Sequence, residues 1–165
     1  MTQRRISVLG FAVLLVTAGF AVPGKASGAP EGAMGHSYNL LGEGIGLVGY
    51  DPVSYFPEGG GRPQRGLIGI AAEQDGVTYR FASEEHRTLF QNNPGKYLPA
   101  YGGWCAWAVG ELGKRVDVDP ESFELRGGRL YVFYRDPKLD TRALWVKKPA
   151  ELIQKADVNW PALSR

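Results

Sequence analysis

Cys105 is the only cysteine in the chain, and tryptophans lie close on both sides of it at Trp104 and Trp107. Exported proteins normally carry cysteines in pairs that form disulfides, so a single cysteine in such a protein needs a chemical explanation. A thiolate is a good ligand for a soft ion such as Cu(I). A free cysteine can equally act as a small buried hydrophobic residue, with the preceding Gly102-Gly103 pair allowing a tight turn or a close approach of the backbone. The residue types leave both interpretations open.

His86 is the second candidate metal ligand. Leu89 and Phe90 follow it at i+3 and i+4, so the imidazole lies on the same helix face as these apolar residues. An inward imidazole close to Cys105 would complete a metal site or a thiolate–imidazole pair. The alternative is a core histidine that is hydrogen-bonded to the backbone. Asp51 could offer its carboxylate to a ligand or to His86, although a role as a helix cap also explains it.

Four aromatic residues are candidates for the wall of an apolar ligand pocket: Tyr50, Tyr101, Trp104 and Trp107. As core aromatics they need no ligand. An enzyme that uses a Cys–His pair is the least favoured class, because nothing in the sequence marks an oxyanion hole or a third catalytic partner. The glycine run at residues 59–61 lacks the helix and lysine of a phosphate site.

The N-terminus has the pattern of a secretory signal. Arg4 and Arg5 precede fifteen uncharged, mainly apolar residues from Val8 to Val22, and small residues follow. This run is shorter than the roughly 20 residues of a membrane-spanning helix. We predict a signal peptide over residues 1–26, with Ala29 as the alternative cleavage position, and a flexible leader over residues 27–37. The mature protein is then periplasmic or secreted, without a membrane anchor, after Sec or twin-arginine export.

Charge argues against nucleic acid as a partner. Of the 19 basic residues, cleavage removes Arg4, Arg5 and Lys25, which leaves 16 against 17 acidic residues. A nearly neutral mature chain has no basic patch of the kind that nucleic acids require. The remaining length suits one domain with its own core, predicted over residues 38–163.

Two β-hairpins are predicted. The first runs from Leu67 to Phe81 around an Asp75-Gly76 turn, which pairs Ala72 with Tyr79 and Ile70 with Phe81. The second runs from Phe123 to Tyr134 around Gly127-Gly128 and places Phe123, Leu125, Leu130 and Val132 on one face.

Short helices are predicted between and after the hairpins. Ser83 caps a helix that ends near Asn92-Asn93, and Pro94 opens a further turn. Asp140 caps a helix over residues 141–147, and Pro149 starts one that continues to Ala156. Asp51 and Pro52 predict a single helical turn before Pro57. Hairpins alternating with short helices indicate a small α+β domain.

Several segments resemble the YHS domain family in its stand-alone exported form. They include residues 49–56 (GYDPVSYF), 79–83 (YRFAS) and 101–106 (YGGWCA), with further matches at 93–99, 119–120, 128–131 and 159–161. The resemblance covers residues 38–163 and implies a small α+β fold. YHS domains occur beside copper-transporting ATPases, which implies a soft metal ion as ligand. Related metal modules use several cysteines, whereas this chain has one, which argues against a closed structural zinc site.

The function predicted first is therefore an exported binding module for a soft metal ion such as copper, held by Cys105 with His86 as second ligand. The alternative is a module that binds a small apolar ligand or a protein partner, in which the cysteine and the aromatic cluster are structural.

Overall fold

The computed structural model of the protein describes residues 37–42 and 44–165. The predicted signal peptide and the leader up to and including His36 lie outside the described residues. Within those residues the chain forms two β-sheets and five α-helices, so the predicted α+β class is confirmed. No helix in residues 37–42 and 44–165 has the length and apolar character needed to cross a membrane.

The first sheet contains the predicted Asp75-Gly76 hairpin. Strands β3 (Leu67–Gln74) and β4 (Val77–Phe81) pair antiparallel, and the short strands β1 (Leu40–Leu41) and β2 (Ile45–Gly46) extend the sheet in the order β1-β2-β4-β3. Ala72 lies opposite Tyr79 as predicted, but the Ile70–Phe81 pair is wrong: Phe81 lies opposite Leu67. A bulge between residues 67 and 71 causes the difference, since it places extra residues on β3 alone.

The second sheet is the Gly127-Gly128 hairpin. Strand β5 (Asp119–Arg126) begins four residues earlier than predicted and pairs antiparallel with β6 (Arg129–Phe133). Phe123 lies opposite Val132 and Leu125 opposite Leu130. Leu130 and Val132 are buried, with Phe123 and Leu125 packed against the same core, so the predicted apolar face is confirmed.

Four of the helices begin where the sequence predicts, two after a capping side chain and two at a proline. Ser83 caps α1 (Glu84–Asn92) by accepting from the His86 amide, and α2 (Pro94–Tyr97) starts at Pro94. Asp140 caps α4 (Thr141–Trp145) through the Arg142 amide. The last helix, α5 (Pro149–Leu163), extends seven residues past the predicted end.

Two further predictions on local structure need correction. Helix α3 (Ala106–Leu112), directly after Cys105, was not predicted, and the helical turn expected at residues 52–56 is a run of hydrogen-bonded turns. A short 3-10 helix (Pro57–Gly59) follows those turns. The predicted cap contact of Asp51 nevertheless forms, since its Oδ1 accepts from the Val53 amide at 2.8 Å.

The core consists of two apolar clusters. The first joins the first sheet and α1 to the 50–56 segment and includes Tyr50, Tyr79 and Phe90. The second is built around α3, α4 and α5 and includes Cys105, Trp145 and Ala156. Strand β6 contributes to both, because Leu130 and Val132 lie in the first cluster and Tyr131 and Phe133 in the second. The hairpin therefore links the two halves of the domain.

Candidate functional site

Cys105 lies at the start of α3 and is fully buried. Its amide donates to Val116 O at 3.0 Å, and its Sγ lies 3.4 Å from Thr141 Oγ1. The Thr141 hydroxyl donates to Tyr134 O at 2.7 Å, so its hydrogen is already used. The thiol must then be the donor in the contact with Thr141. This is the environment of a satisfied core residue, without an open coordination position.

His86 has a different partner. Its Nδ1 lies 2.5 Å from Asp51 Oδ2, and the Asp51 side chain is fully buried. The same oxygen accepts from the Ala82 amide at 2.8 Å. Because this oxygen accepts, Nδ1 is the protonated ring nitrogen, and the contact fixes both the tautomer and the orientation of the imidazole. Of the two roles predicted for Asp51, cap and histidine partner, the structure contains both.

The structure places Cys105 and His86 in different parts of the domain. Helix α1, which carries His86, packs on α2, β3 and β4, whereas α3 packs on α4, α5 and β6. Each side chain also has its own protein partner, Thr141 for the sulfur and Asp51 for the imidazole. In the described part of the chain, no group of three or more His, Cys, Asp and Glu side chains is placed to hold a metal ion. The two-residue copper site of Cys105 and His86 stays a prediction, and the separate partners of the two side chains lend it no support.

The four predicted pocket aromatics also separate. Tyr50 donates from its hydroxyl to Glu121 Oε1 at 3.0 Å, and the Arg65 guanidinium covers its ring at 4.4 Å. Trp104 and Trp107 pack against the second core cluster. Of the four, Tyr101 alone lines a cavity that lies beside the β5–β6 turn.

That cavity has a volume of about 410 Å³ and lies where the two clusters meet. The α2 segment, the β5–β6 turn, α5 and residues from both sheets form its walls. Aromatic and apolar side chains make up much of the lining: Tyr38, Tyr79, Leu98, Pro99, Tyr101 and Trp160. The size of this cavity falls in the range of small-molecule sites, and its lining is about equally polar and apolar.

The segment that bears Tyr101 has an uncommon backbone. Tyr101 and Gly102 both lie in the left-handed region, with φ of 55° and 59°. This region is unfavourable for a bulky side chain, and such residues persist only where the surroundings hold them. The surroundings do so here: the Asn39 amide donates to Gly102 O at 2.9 Å, and the Tyr101 hydroxyl donates to Asp157 Oδ1 at 2.9 Å.

Three charged residues line the same cavity. Arg129 Nη1 lies 3.4 Å from Asp157 Oδ1, and its guanidinium lies 5.4 Å from the centre of the Tyr101 ring. Lys96 is hydrogen-bonded to Glu58, which raises the pKa of the lysine and lowers the pKa of the carboxyl. Burial, together with the hydrogen bond to Asp157, raises the pKa of Tyr101, so this hydroxyl stays protonated and remains a donor at neutral pH.

Tyr79 is the buried polar residue of the site. Its side chain lines the cavity although the residue is only 1% exposed. Its hydroxyl makes no hydrogen bond with any described residue. Burial raises the pKa of Tyr79, with smaller contributions from Tyr38 and Asp75.

Sequence reasoning missed Tyr79, Arg129, Asp157 and Trp160. The second hairpin carried one available signal: Arg129 directly follows the Gly127-Gly128 turn and precedes a buried strand. Comparisons with protein-family models, with curated proteins and with solved structures found no match to this chain. The resemblance to YHS domains therefore stays a prediction.

Proposed function

We propose that this chain is an exported, YHS-like binding module whose ligand is a small organic molecule that occupies the cavity between the two core clusters. The observation that carries the proposal is the cavity of about 410 Å³ between the two clusters, whose lining includes Tyr79, Tyr101 and Trp160. Export and family membership are parts of the proposal that rest on the sequence alone.

The left-handed Tyr101 supports the same site. Strained backbone costs about 1–3 kcal/mol per residue and concentrates at ligand sites. Here the strain places the Tyr101 ring on the cavity wall and its hydroxyl on Asp157. Cys105, by contrast, is fully buried, and its Sγ contacts Thr141 Oγ1. The geometry thus favours organic-ligand binding over the soft-metal hypothesis.

The proposal can be tested with a variant that fills the cavity. Gly95 lines the cavity, has an ordinary φ, and has no atom within 4 Å of the position that a Cβ would take. Gly95→Leu should therefore place a side chain beside or in the cavity without backbone strain. Gly69 has the same open surroundings and an ordinary φ, but it lies on β3 outside the cavity lining, so Gly69→Leu is the matched control.

The readout is the change in backbone amide chemical shifts when labelled protein is titrated with small planar aromatic compounds. We expect shifts around Tyr79, Tyr101 and Trp160 in the parent and in Gly69→Leu, and their loss in Gly95→Leu. Unchanged shifts in a folded Gly95→Leu variant would place binding elsewhere. No shifts around the cavity in the parent would refute the proposal.

A further inference from the structure

We infer that the ligand of this cavity is an organic carboxylate, with its charged group on Arg129 and its apolar body against Tyr101 and Trp160. The inference rests on the proposed function, because it names the class of molecule that the proposed site takes. It is drawn from the charge and the unused hydrogen-bonding capacity of the lining.

Arg129 has spare donors. A guanidinium carries five N–H groups in a planar fork that matches a carboxylate. In the part of the chain described, one of these groups has an acceptor, Asp157, and that contact is long at 3.4 Å. The Arg129 side chain is 48% exposed and lies beside the ring of Tyr101. It can therefore turn towards an entering anion without giving up a strong ion pair.

The other polar side chains of the lining are also suited to a negatively charged group on the ligand. Lys96 adds a second positive charge, although Glu58 offsets it. Tyr79 also belongs to the lining, and a phenol hydroxyl is a donor of the kind that a carboxylate oxygen accepts. Asp157 is the single carboxylate in the lining, and its Oδ1 already accepts from both Tyr101 and Arg129. Among the charged side chains of the lining, the two cations thus outnumber the one carboxylate.

The rest of the lining determines the size and the apolar character of the uncharged part of the ligand. Leu98, Pro99, Tyr101 and Trp160 offer apolar and aromatic surface. A volume of about 410 Å³ accommodates a single ring with a short substituent. Benzoate has these properties, and benzamide is its uncharged counterpart of nearly the same shape. The pair isolates the contribution of the charge.

The test measures the dissociation constants of benzoate and benzamide from shift changes at the cavity residues at low ionic strength. We expect benzoate to bind at least tenfold more tightly than benzamide, and added salt to weaken benzoate alone. Arg129→Gln should remove the preference. Arg126→Gln is the matched control, because Arg126 is an equally exposed arginine on the same hairpin that pairs with Glu124 outside the cavity.

A third variant should have the opposite effect on the affinity for benzoate. Asp157→Asn removes the negative charge from the lining and frees the guanidinium, so benzoate should bind several-fold more tightly and benzamide should change little. Thermal unfolding of each variant establishes that it is folded. If Arg129→Gln does not fold, the effect of Asp157→Asn and the salt dependence of benzoate binding still test whether the ligand is a carboxylate.

The outcomes separate the inference from the proposed function. Equal affinities of benzoate and benzamide at the cavity would overturn the carboxylate inference and leave small-molecule binding standing. A preference for benzoate that persists in Arg129→Gln would overturn the assignment to Arg129. The absence of cavity shifts with either compound would overturn both the inference and the proposed function.

Discussion

The Asp51 carboxylate should be the most sensitive polar group of the fold. It is fully buried and accepts from the Val53 amide, the Ala82 amide and His86 Nδ1 at 2.8, 2.8 and 2.5 Å. These contacts tie the 51–56 segment to the end of β4 and the start of α1. An aspartate that connects three segments in this way stabilises their arrangement as well as its own surroundings.

The size of the effect follows from the number of donors left without an acceptor. Asp51→Asn keeps one carbonyl oxygen, so at least one buried donor loses its acceptor, at about 1–3 kcal/mol. Asp51→Ala removes all three contacts and should lower the free energy of unfolding by about 3–5 kcal/mol, as when one partner of a buried pair is deleted. Urea unfolding followed by tryptophan fluorescence measures both values.

Asp136 provides the control. It also accepts three hydrogen bonds, from the Tyr134 hydroxyl and the Lys138 and Leu139 amides, but it is exposed. Water can replace those contacts, so Asp136→Asn should change the urea midpoint little. Equal losses in Asp51→Asn and Asp136→Asn would show that the number of hydrogen bonds, and not burial, determines the cost, and would refute the reasoning.

Three further outcomes are expected. Gly102→Ala should destabilise the protein by roughly 1–3 kcal/mol in urea unfolding, because its Cβ would lie 1.9 Å from Ser37 O at a left-handed φ. The control is Gly128→Ala, which also has a positive φ but has open space around the new Cβ and should therefore lose less stability. Equal losses of stability in the two variants would contradict the close approach of Gly102 to Ser37. The Cys105 thiol should react with a disulfide reagent far more slowly in the folded than in the unfolded protein, and Cys105→Ser should leave Cu(I) affinity in a chelator competition unchanged; a loss of affinity would revive the soft-metal hypothesis. Burial raises the pKa of Tyr79 and Tyr101, so the folded state holds more protons than the unfolded state above about pH 10. The free energy of unfolding should therefore fall as the pH rises beyond that value. Tyrosinate absorbance should appear at a higher pH in the folded protein than in the urea-unfolded protein. Coincident absorbance curves would contradict the buried hydroxyls.

Local signals predicted much of the fold. The Asp75-Gly76 and Gly127-Gly128 turns, the Ser83 and Asp140 caps and Pro94 all act within a few residues, so the sequence contains their effect directly. The bulge between Leu67 and Ala71 had one signal, Gly69, because a glycine inside a strand often marks a bulge; the prediction of a regular hairpin register did not use it.

The candidate site depended on contacts between distant segments. Tyr101 and Asp157 are 56 residues apart, and Asp51 and His86 are 35 apart. Tyr101 was among the predicted pocket residues because of its aromatic ring, but no local pattern brings it to Arg129 or Trp160. The predicted Cys105–His86 pair found no support for a related reason. Both residues were expected in apolar surroundings, but both core clusters are apolar, so this property does not identify the cluster to which a residue belongs.

The ends of the described domain also meet at the cavity. The Ser37 hydroxyl donates to Ser164 O at 2.6 Å, and the next residue, Tyr38, belongs to the cavity lining. A fusion partner attached at either end would therefore emerge beside the cavity and could obstruct it. Conversely, a short linker joining residue 165 to residue 37 should be compatible with the fold, so a circular permutant opened at an exposed turn outside the lining, such as residues 137–138, would move both new ends away from the cavity. Such a permutant would be a suitable form for attaching this module to a surface or a reporter while the cavity stays open.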